Sequence, residues 1–201
     1  EKGKADGLFI STAGIAWIPD GLNIGGACVM PGDVVLVSGT LGDHGIAVLS
    51  ARGDLGFQTE IRSDVAPLNH LIQEILSVSK NIHVLRDPTR GGLATTLNEI
   101  ACQSNVNITL HEKSIPVIPA VRSACEMLGF DPLYVANEGK VIVIVAKEDA
   151  KTGLDAMHSS KYGGNAVEIG TVQPEPAGKV LLKTGIGGTR LLDVLSGEML
   201  P

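Results

Sequence analysis

Aromatic residues make up only 3% of the sequence, and several features that mark particular classes of protein are missing. A core with so few rings has to be built from Val, Ile, Leu and Ala. No stripe of Lys and Arg is visible and the net charge is -6, so no nucleic-acid-binding surface is predicted. No run of about 18 apolar residues occurs either, so no membrane-spanning helix is predicted.

Closely paired cysteines are also absent. The three cysteines, Cys28, Cys102 and Cys125, are widely spaced and include no CxxC pair. This pattern favours reduced, buried cysteines in a cytoplasmic protein over a disulfide framework. A metal-binding or nucleophilic role for one of them is the less favoured alternative, and no metal ligand is predicted.

The first residues, EKGKADGLFI, include neither an initiator Met nor the pattern of a signal peptide. We therefore expect the sequence to begin in the middle of a longer protein. Its 201 residues suffice for one large domain, or for one domain and part of another. The 25 glycines fall largely in short clusters, which indicates tight turns and close backbone approaches.

The hydrophobic pattern predicts alternating strands and helices. Strands are predicted at 7–13, 34–38, 82–86, 106–111, 140–146, 166–172 and 179–183. Helices are predicted at 46–51, 65–79, 93–103, 118–128 and 150–159. Because hairpin-like strand pairs follow one another late in the chain, we predict an α+β (mixed α/β) fold with helices packed on a mixed, largely antiparallel sheet.

Three details of this pattern are specific enough to be tested. The continuous apolar run at 34–38 predicts a strand that is covered on both faces. The alternation at 106–111 predicts a strand with one wet face. Ser63 or Asp64 is expected to cap the helix at 65–79, and residues 14–33 are expected to form an irregular crossover.

The first candidate functional loop is GTLGDHG, at residues 39–45, between a buried strand and a helix. Its glycines would let backbone N–H groups approach a ligand, and the N-terminus of the following helix favours an anion. The loop has neither a Walker A nor a GxGxxG pattern, so a tight structural turn explains it equally well. Histidine is suited to proton transfer near neutral pH, although a lone histidine such as His44 is more often structural.

The second candidate loop, DPTRGG at residues 87–92, also lies between a strand and a helix. Asp87 is suited to cap the helix while Pro88 takes its first position. Arg90 would then project beside Gly91 and Gly92 as a fork for a phosphate or a carboxylate. Capping accounts for Asp-Pro but not for Arg-Gly-Gly, so a functional and a structural role are equally favoured.

The third candidate loop, NEGK at residues 137–140, directly precedes or opens a strand. An amide and a carboxylate at the end of a strand can bind a substrate or remove a proton. On pattern alone, however, a surface turn is favoured. Lys4 and the polar residues around the crossover are uninformative when taken singly.

Considered jointly, SGTLGDHGIAVLSAR, RDPTRGGLATTLNEIA and ANEGKVIVIVA resemble, in this order, the hydrogenase maturation family HypE. KADGLFISTAGI near the start and LLDVLSGEMLP at the end extend the resemblance over nearly the whole chain. The joint match is far more specific than any single motif. More distantly, the sequence is similar to the aminoimidazole ribonucleotide synthetase superfamily, whose members share a two-domain ATP-binding architecture.

The resemblance implies a position within a HypE protein. Residues 1–30 would be the end of an N-terminal ATP-binding domain and a crossover, and residues 31–201 would be the C-terminal α/β domain. Proteins of this family end in Pro-Arg-Ile-Cys, and Pro201 resembles that proline, so the reactive cysteine would follow it. Most ligands of ATP and Mg²⁺ would precede residue 1, and the fragment alone is therefore expected to be inactive.

The resemblance also implies a reaction, the ATP-dependent dehydration of a carboxamide on the protein's own C-terminal cysteine to a thiocyanate. The carbamoyltransferase HypF would load the carboxamide, and the cyanide would pass to iron on a HypC–HypD complex. Phosphorylation makes the amide oxygen a good leaving group, and a base removes N–H protons as the C≡N bond forms. A cytoplasmic homodimer of the full-length protein is expected, with no nucleic acid and no membrane as partner.

Residue roles follow by matching motifs. Glu138 matches a carboxylate near the carboxamide nitrogen, and we expect it to be the general base, aided by partial burial. Asn137 would orient the amide, Arg90 would stabilise charge on the phosphoryl group, and His44 would line the cleft, with a hydrogen-bonding role favoured over proton transfer. Further contacts with ATP, or support for the loops that make them, are expected from Lys4, Gly42, Asp43, Gly45, Asp87, Thr89, Gly91 and Gly92.

Two alternatives stay open at the level of sequence. An ATP-dependent synthetase or kinase of the same superfamily would act on a small molecule and would lack the terminal cysteine. A non-catalytic docking module would bind the carbamoyltransferase or the HypC–HypD complex through a scattered acidic surface. The last residues of the full gene test the first alternative, and a binding experiment tests the second.

Overall fold

The fold is a single sheet with helices on both of its faces. A computed structural model describes residues 11, 13–15, 17, 20–53 and 60–194. Within them the strands are β1 (Val34–Val37), β2 (Ile82–Arg86), β3 (Asn107–His111), β4 (Ile142–Val145), β5 (Val167–Gln173), β6 (Lys179–Lys183) and β7 (Thr189–Leu192). The α-helices are α1 (Asp43–Arg52), α2 (Asn69–Val78), α3 (Gly92–Ser104), α4 (Pro119–Leu128) and α5 (Ala150–Ser159). Short 3₁₀ helices lie at Glu112–Ser114, Pro132–Tyr134 and Lys147–Asp149.

The strands lie in the order β2-β4-β1-β5-β3-β6-β7. The pairings are antiparallel except for β3 with β6, which run parallel. An α+β fold on a mixed, largely antiparallel sheet is therefore confirmed. The prediction of successive late hairpins is wrong for β5 and β6, because β3 lies between them and pairs with both.

The sheet is covered on both faces, and β1 lies near its middle. Successive side chains of a strand point to opposite faces, so Val35 and Val37 pack towards α3, whereas Val34 and Leu36 pack towards α2 and α5. A third cluster joins α1 to α4. The burial of all of β1 explains its continuous apolar run and confirms the prediction for 34–38.

The irregular segment before β1 is pinned to the sheet by one buried carboxylate. Asp33 is 3% exposed, and its Oδ2 accepts a hydrogen bond of 2.8 Å from the Met30 N–H. The same oxygen lies 2.7 Å from Nδ1 of His83 on β2. Residues 20–33 contain no helix or strand, as predicted, because local turns and these contacts take the place of regular pairing.

The helix predicted at 65–79 begins later than its apolar pattern suggests. α2 starts at Asn69, residues 61–68 are irregular, and neither Ser63 nor Asp64 caps the helix. Pro67 explains the difference, because a proline disfavours helical backbone in the residue before it. Val65, which the pattern assigns to the buried face, is 69% exposed.

The prediction of one wet face on 106–111 is also wrong. Asn107 and Thr109 of β3 are buried, because the strand lies inside the sheet with neighbours on each side. Their polar atoms bond to each other and to the Lys179 carbonyl, which offsets the cost of removing them from water. The helix predicted at 46–51 begins earlier, at Asp43, while the strand at 82–86 and the helix at 150–159 have the predicted bounds.

Two further predictions concern cysteines and membranes. Cys28, Cys102 and Cys125 are free thiols, but only Cys125 is buried and Cys102 is exposed, so the expectation of burial is wrong for Cys102. None of the helices in the described part of the chain has the length and apolar character that crossing a bilayer requires. The strand predicted at 7–13 and the end of the chain from 195 fall largely or wholly outside the described residues.

We expect Asp33→Ala to destabilise the protein by about 2–3 kcal/mol, because the Met30 N–H and the His83 ring would lose a buried acceptor. Urea denaturation followed by circular dichroism measures the change in the free energy of unfolding. Asp155→Ala, which removes an exposed carboxylate from α5, is the control and should stay within about 0.5 kcal/mol of the wild type. Equal effects of the two substitutions would contradict the pinning role of Asp33.

Candidate functional site

The three candidate loops meet at the buried side chain of Asn137, which is 0% exposed. Its Oδ1 accepts a hydrogen bond of 2.8 Å from the Gly42 N–H in the first loop. Its Nδ2 donates to the carbonyls of Val135, at 2.9 Å, and Pro88, at 3.3 Å, the latter in the second loop. The Asn137 backbone N–H also donates to Pro88. One amide side chain therefore ties the loops at 39–45, 87–92 and 137–140 together.

These contacts use every polar atom of the Asn137 side chain within the protein. A fully buried amide needs such partners, because an unsatisfied polar group would cost about 1–3 kcal/mol. The role that the structure assigns to Asn137 is to join the loops. Orientation of a substrate amide by Asn137 stays a prediction.

The first loop leads directly into α1. Gly42 caps the helix with φ of 84°, so Asp43, His44 and Gly45 form its first turn and no side chain caps it. The Gly45 N–H donates to the carbonyl of Ala136, the residue directly before the third loop, at 3.1 Å. His44 is half-buried, and its Nδ1 lies 2.9 Å from Ser63 Oγ.

A buried cluster of charged side chains lies beneath the first and third loops. Lys140 Nζ lies 3.2 Å from Asp64 Oδ2 and 4.0 Å from Asp43 Oδ2. The contact with Asp64 is an ion pair without hydrogen-bond geometry, and Asp43 Oδ1 is likewise buried without a hydrogen bond. Two carboxylates thus share one ammonium group. We infer that the cluster carries an excess negative charge when both acids are ionised.

Burial, together with the nearby charges, affects the ionisation of Asp43. Burial raises the pKa of its carboxyl group above the ordinary value of 3.8, and the negative charge of Asp64 adds to the rise. The hydrogen bond from the Thr40 hydroxyl and the positive charge of Lys140 oppose it without cancelling it. The environment of Asp43 therefore favours its neutral form relative to water.

The second loop is held by bonds among its own side chains. Asp87 accepts a hydrogen bond of 2.7 Å from the Thr89 hydroxyl and one of 2.8 Å from the Arg86 guanidinium. Burial, the largest single influence, would raise the pKa of Asp87, but these bonds, with one from its own backbone N–H and the charge of Arg86, lower it overall. The prediction that Asp87 caps the next helix is wrong, because the N-cap of α3 is Gly91. Arg90 precedes the helix, is exposed, and forms no ion pair within the described part of the chain.

Gly92 of the second loop packs tightly against residues 133–135, the segment that leads into the third loop. Its φ is +62°, and a Cβ there would lie 2.6 Å from the Leu133 carbonyl oxygen and 2.7 Å from that of Val135. Such distances are far below van der Waals contact, so only glycine fits. Gly91, with φ of +68°, opens α3 without a side-chain cap. The first-turn N–H groups of α3 are therefore not satisfied by a capping side chain.

Glu138 lies at the surface of the third loop, contrary to the expected partial burial. Its backbone N–H donates to Asp64 Oδ1 at 3.1 Å. The next residue, Gly139, packs so tightly that a Cβ would lie 1.7 Å from the Asp64 carbonyl oxygen. The carboxylate of Glu138 thus faces solvent from a backbone that is firmly held.

Pattern reasoning missed the segment that holds the first and third loops from outside, residues 63–66. It assigned Ser63 and Asp64 to a helix cap, whereas their side chains contact His44, Glu138 and Lys140. The Pro67 that stops the helix was the available signal, because it frees the preceding polar residues for tertiary contacts. The sequence pattern also predicts no role for Lys140, which is the cation of the buried cluster.

A cavity of about 230 Å³ opens beside Lys140 and the start of the first loop. Its lining consists of Ser38, Gly39, Thr40, Lys140, Lys161, Tyr162, Gly164 and Asn165. Two larger surface cavities, of about 450 and 480 Å³, are lined by no residue of the three loops. Within the described residues, the candidate site thus adjoins a small cavity next to its first and third loops.

Most of the remaining predicted site residues lie in the loops that meet at Asn137. Gly42, Asp43 and Gly45 are brought to the third loop, and Asp87, Thr89, Gly91 and Gly92 to the same junction. Lys4 lies outside the described residues. Among the residues that are described, no group of three or more His, Cys, Asp or Glu side chains could hold a metal ion.

Comparison with known proteins defines the class first. The family model for the C-terminal domain of AIR synthase related proteins matches residues 30–183. This range holds the described helices and strands except β7, together with all three candidate loops. The chain therefore belongs to the family of AIR synthase related proteins.

The individual relatives reported next are all HypE proteins. The chain is 53% identical over 201 residues to carbamoyl dehydratase HypE of Cupriavidus necator, covering 100% of this chain and 57% of that protein. Among solved structures, it is similar to a HypE in complex with ATP, with a TM-score of 0.82, 46% identity, and coverage of 89% of this chain and 54% of that one. It is also similar to a chain of a HypE–HypF complex, with a TM-score of 0.83, 47% identity, and coverage of 88% and 57%. The chain thus spans little more than half the length of the relatives that it matches.

We expect Gly92→Ala to destabilise the protein by about 3 kcal/mol or more, through a left-handed backbone and a clash with two carbonyls. Gly129→Ala is the matched control, because Gly129 has φ of +70° but open space around its Cβ position. It should cost only about 1–2 kcal/mol. Urea denaturation measures both changes in the free energy of unfolding, and similar costs would show that the packing of Gly92 against residues 133–135 is loose.

The raised pKa of Asp43 predicts a pH-dependent stability difference between the wild type and Asp43→Asn. A carboxyl group whose folded-state pKa is raised contributes stability below its ordinary pKa of 3.8, and this contribution is lost as the pH rises through the folded-state value. An asparagine side chain does not titrate, so the wild type should lose stability relative to the variant as the pH rises over that window. Thermal unfolding of both proteins from about pH 3 to about pH 8 measures the difference across the window of the shift. A difference that is constant with pH would contradict the raised pKa.

Proposed function

We propose that the protein is a HypE-type carbamoyl dehydratase, of which this chain is the C-terminal part. The full-length protein would convert an S-carboxamide on its own C-terminal cysteine to a thiocyanate with ATP, and the nitrile would become a cyanide ligand of a hydrogenase iron. The observation that carries this proposal is the convergence of the three HypE-like loops at Asn137, in a chain with 53% identity to a HypE along its whole length.

Residues 1–30 would complete an N-terminal domain and residues 31–201 would form the second domain. The match of the family model to residues 30–183 supports this division. ATP binding is supported by the similar HypE that was solved with ATP. We propose that Mg²⁺ accompanies the ATP and is held mainly by residues outside this chain, so that the chain alone is inactive.

The residues present fit an anionic group at the second loop. Arg90 is exposed, and α3 begins next to it without a side-chain cap, so a cation and backbone N–H groups lie close in sequence and space. ATP supplies the phosphoryl group that turns the amide oxygen into a leaving group. Arg90 would balance the negative charge that develops on the transferred oxygens.

Glu138 would act as the general base. One N–H proton of the amide would be lost when its oxygen is phosphorylated, and the Glu138 carboxylate would take the remaining one as the C–O bond breaks and the C≡N bond forms, with phosphate leaving with the oxygen. Solvent exposure in this chain leaves the carboxylate accessible to a substrate carried on a flexible tail. His44, held by Ser63, would line the same site as a hydrogen-bonding group.

The carbamoyltransferase HypF is the proposed source of the carboxamide, and a HypC–HypD complex is the proposed acceptor of the cyanide. The similar chain of the HypE–HypF complex supports the first partner. We propose a homodimer for the full-length protein, formed mainly through the N-terminal domain, in the cytoplasm.

Intact mass spectrometry tests the proposed reaction on the full-length protein with carbamoyltransferase, carbamoyl phosphate and ATP. The expected result is the gain of one carboxamide and then the loss of one water, which requires ATP and the terminal cysteine. If no adduct forms although the carbamoyltransferase is active, the result would favour an enzyme of the same superfamily that phosphorylates a small amide or carboxylate.

We expect Glu138→Gln in the full-length protein to leave carbamoylation intact and to slow dehydration by about 100-fold or more, because only the elimination needs a base. The mass assay, run as a time course, separates the two steps. Glu126→Gln, which replaces an exposed glutamate on α4, is the control and should dehydrate at the wild-type rate. Normal dehydration by Glu138→Gln would remove Glu138 from the mechanism.

A further inference from the structure

The segment at residues 63–66, which we name the clasp, grips two of the candidate loops at once. It lies in the irregular stretch before α2 and contributes neither a helix nor a strand. Its side chains nevertheless reach His44 in the first loop and the backbone of Glu138 in the third. One short segment is therefore hydrogen-bonded to both the first and the third loop.

Asp64 provides most of the grip on the third loop. Its Oδ1 accepts the Glu138 N–H at 3.1 Å, and its Oδ2 forms the ion pair of 3.2 Å with Lys140. Its backbone carbonyl packs against Gly139 so closely that no side chain would fit there. Asp64 thus touches three consecutive residues, 138–140, through three different groups.

Ser63 adds the link to the first loop. Its hydroxyl lies 2.9 Å from His44 Nδ1 and 3.3 Å from the Val65 N–H. The second contact is a local turn that fixes the hydroxyl, and the first restricts the His44 ring. The ring and the Glu138 backbone are therefore oriented from neighbouring residues of one segment.

Stability alone does not account for this arrangement. The Asp64 side chain is 3% exposed, and removing a carboxylate from water costs several kcal/mol unless its partners are well placed. Its Oδ2 has ion-pair contact but no hydrogen bond, and Asp43 competes for the same ammonium group. The adjoining Val65 is largely exposed, so the clasp buries little apolar surface in return.

We propose that Asp64 and Ser63 are positioning residues for the dehydration reaction. Asp64 fixes the position of the Glu138 backbone relative to Lys140, and Ser63 orients the ring of His44. This inference rests on the proposed function of Glu138. Without the contacts from Asp64, the third loop could move and displace the Glu138 carboxylate. A displacement of a reacting group by about 1 Å can slow an enzyme by about 100-fold.

Rescue by a conservative replacement gives the proposal a signature that a purely structural role lacks. Lys140 and Glu138 contact Asp64 from the third loop, and His44 contacts Ser63 from α1. An asparagine at position 64 keeps an oxygen that can accept the Glu138 N–H, whereas an alanine does not. The third loop should therefore stay in place in Asp64→Asn and be released in Asp64→Ala.

The test compares Asp64→Ala, Asp64→Asn and Ser63→Ala in the full-length protein. Asp64→Ala should lower kcat for dehydration by roughly 100-fold, with KM for ATP changed by less than about threefold. Asp64→Asn retains an acceptor for the Glu138 N–H, so it should keep most of the wild-type kcat. Ser63→Ala should lower kcat by less than Asp64→Ala does.

Asp149→Asn is the matched control, because Asp149 also accepts side-chain hydrogen bonds, from Ser79 and Asn81, but is bonded to none of the three loops in the described part of the chain. It should leave kcat unchanged. Wild-type kcat in Asp64→Ala or in Ser63→Ala, or a loss of kcat in Asp64→Asn as large as that expected of Asp64→Ala, would overturn the proposal. Should Asp64→Ala fail to fold, Asp64→Asn and Ser63→Ala still decide it.

Hydrogen exchange of the peptide that contains the Glu138 amide separates this inference from the proposed function. The exchange should rise by about tenfold or more in Asp64→Ala and stay near the wild-type value in Asp64→Asn. A wild type that does not dehydrate carboxamide, with this exchange pattern intact, would refute the proposed reaction but keep the clasp. Unchanged exchange in Asp64→Ala would refute the clasp itself.

Discussion

The geometry of the candidate site depends on one fully buried amide. Asn137 joins three loops that come from distant parts of the chain, and each of its hydrogen bonds is made to a backbone group rather than to another side chain. Backbone partners constrain the loops whatever side chains those loops carry. Arg90 and Glu138 are exposed and His44 is half-buried, while the backbones of their loops are held together by Asn137. Rigid support beneath accessible reacting groups is what a site needs for positioning.

Beneath this junction the protein buries more negative than positive charge. Asp43 and Asp64 share Lys140. Burial raises the pKa of the Asp43 carboxyl group, and the negative charge of Asp64 adds to the rise. A hydrophobic replacement of such a cluster is often neutral or stabilising, so its presence indicates a requirement other than stability. The direct contact of Asp64 with the Glu138 backbone identifies that requirement as the position of the third loop.

The fold class and most elements could be predicted because the apolar pattern of this chain is regular. β2 and α5 have the predicted bounds, since their periodicity is undisturbed. The errors arise where tertiary contacts override local preference. Asn107 and Thr109 alternate like a wet strand but are buried by neighbours on both sides, and Asp64 looks like a helix cap but bonds across the fold. The glycine and charge patterns indicated the three loops, and the motif resemblance strengthened a functional role for them, whereas no spacing rule predicts that Asn137 joins them.

The strand order has a consequence for how the protein is made. β1 pairs with β4 and β5, and Ser38 bonds to Val141, 103 residues later in the chain. At rates of synthesis of roughly 5–20 residues per second, those partners leave the ribosome about 5–20 s after β1. During that interval the run Val-Val-Leu-Val has no sheet to join. The nascent chain therefore presents an unpaired apolar strand, the kind of segment that chaperones shield, well before the three candidate loops can come together.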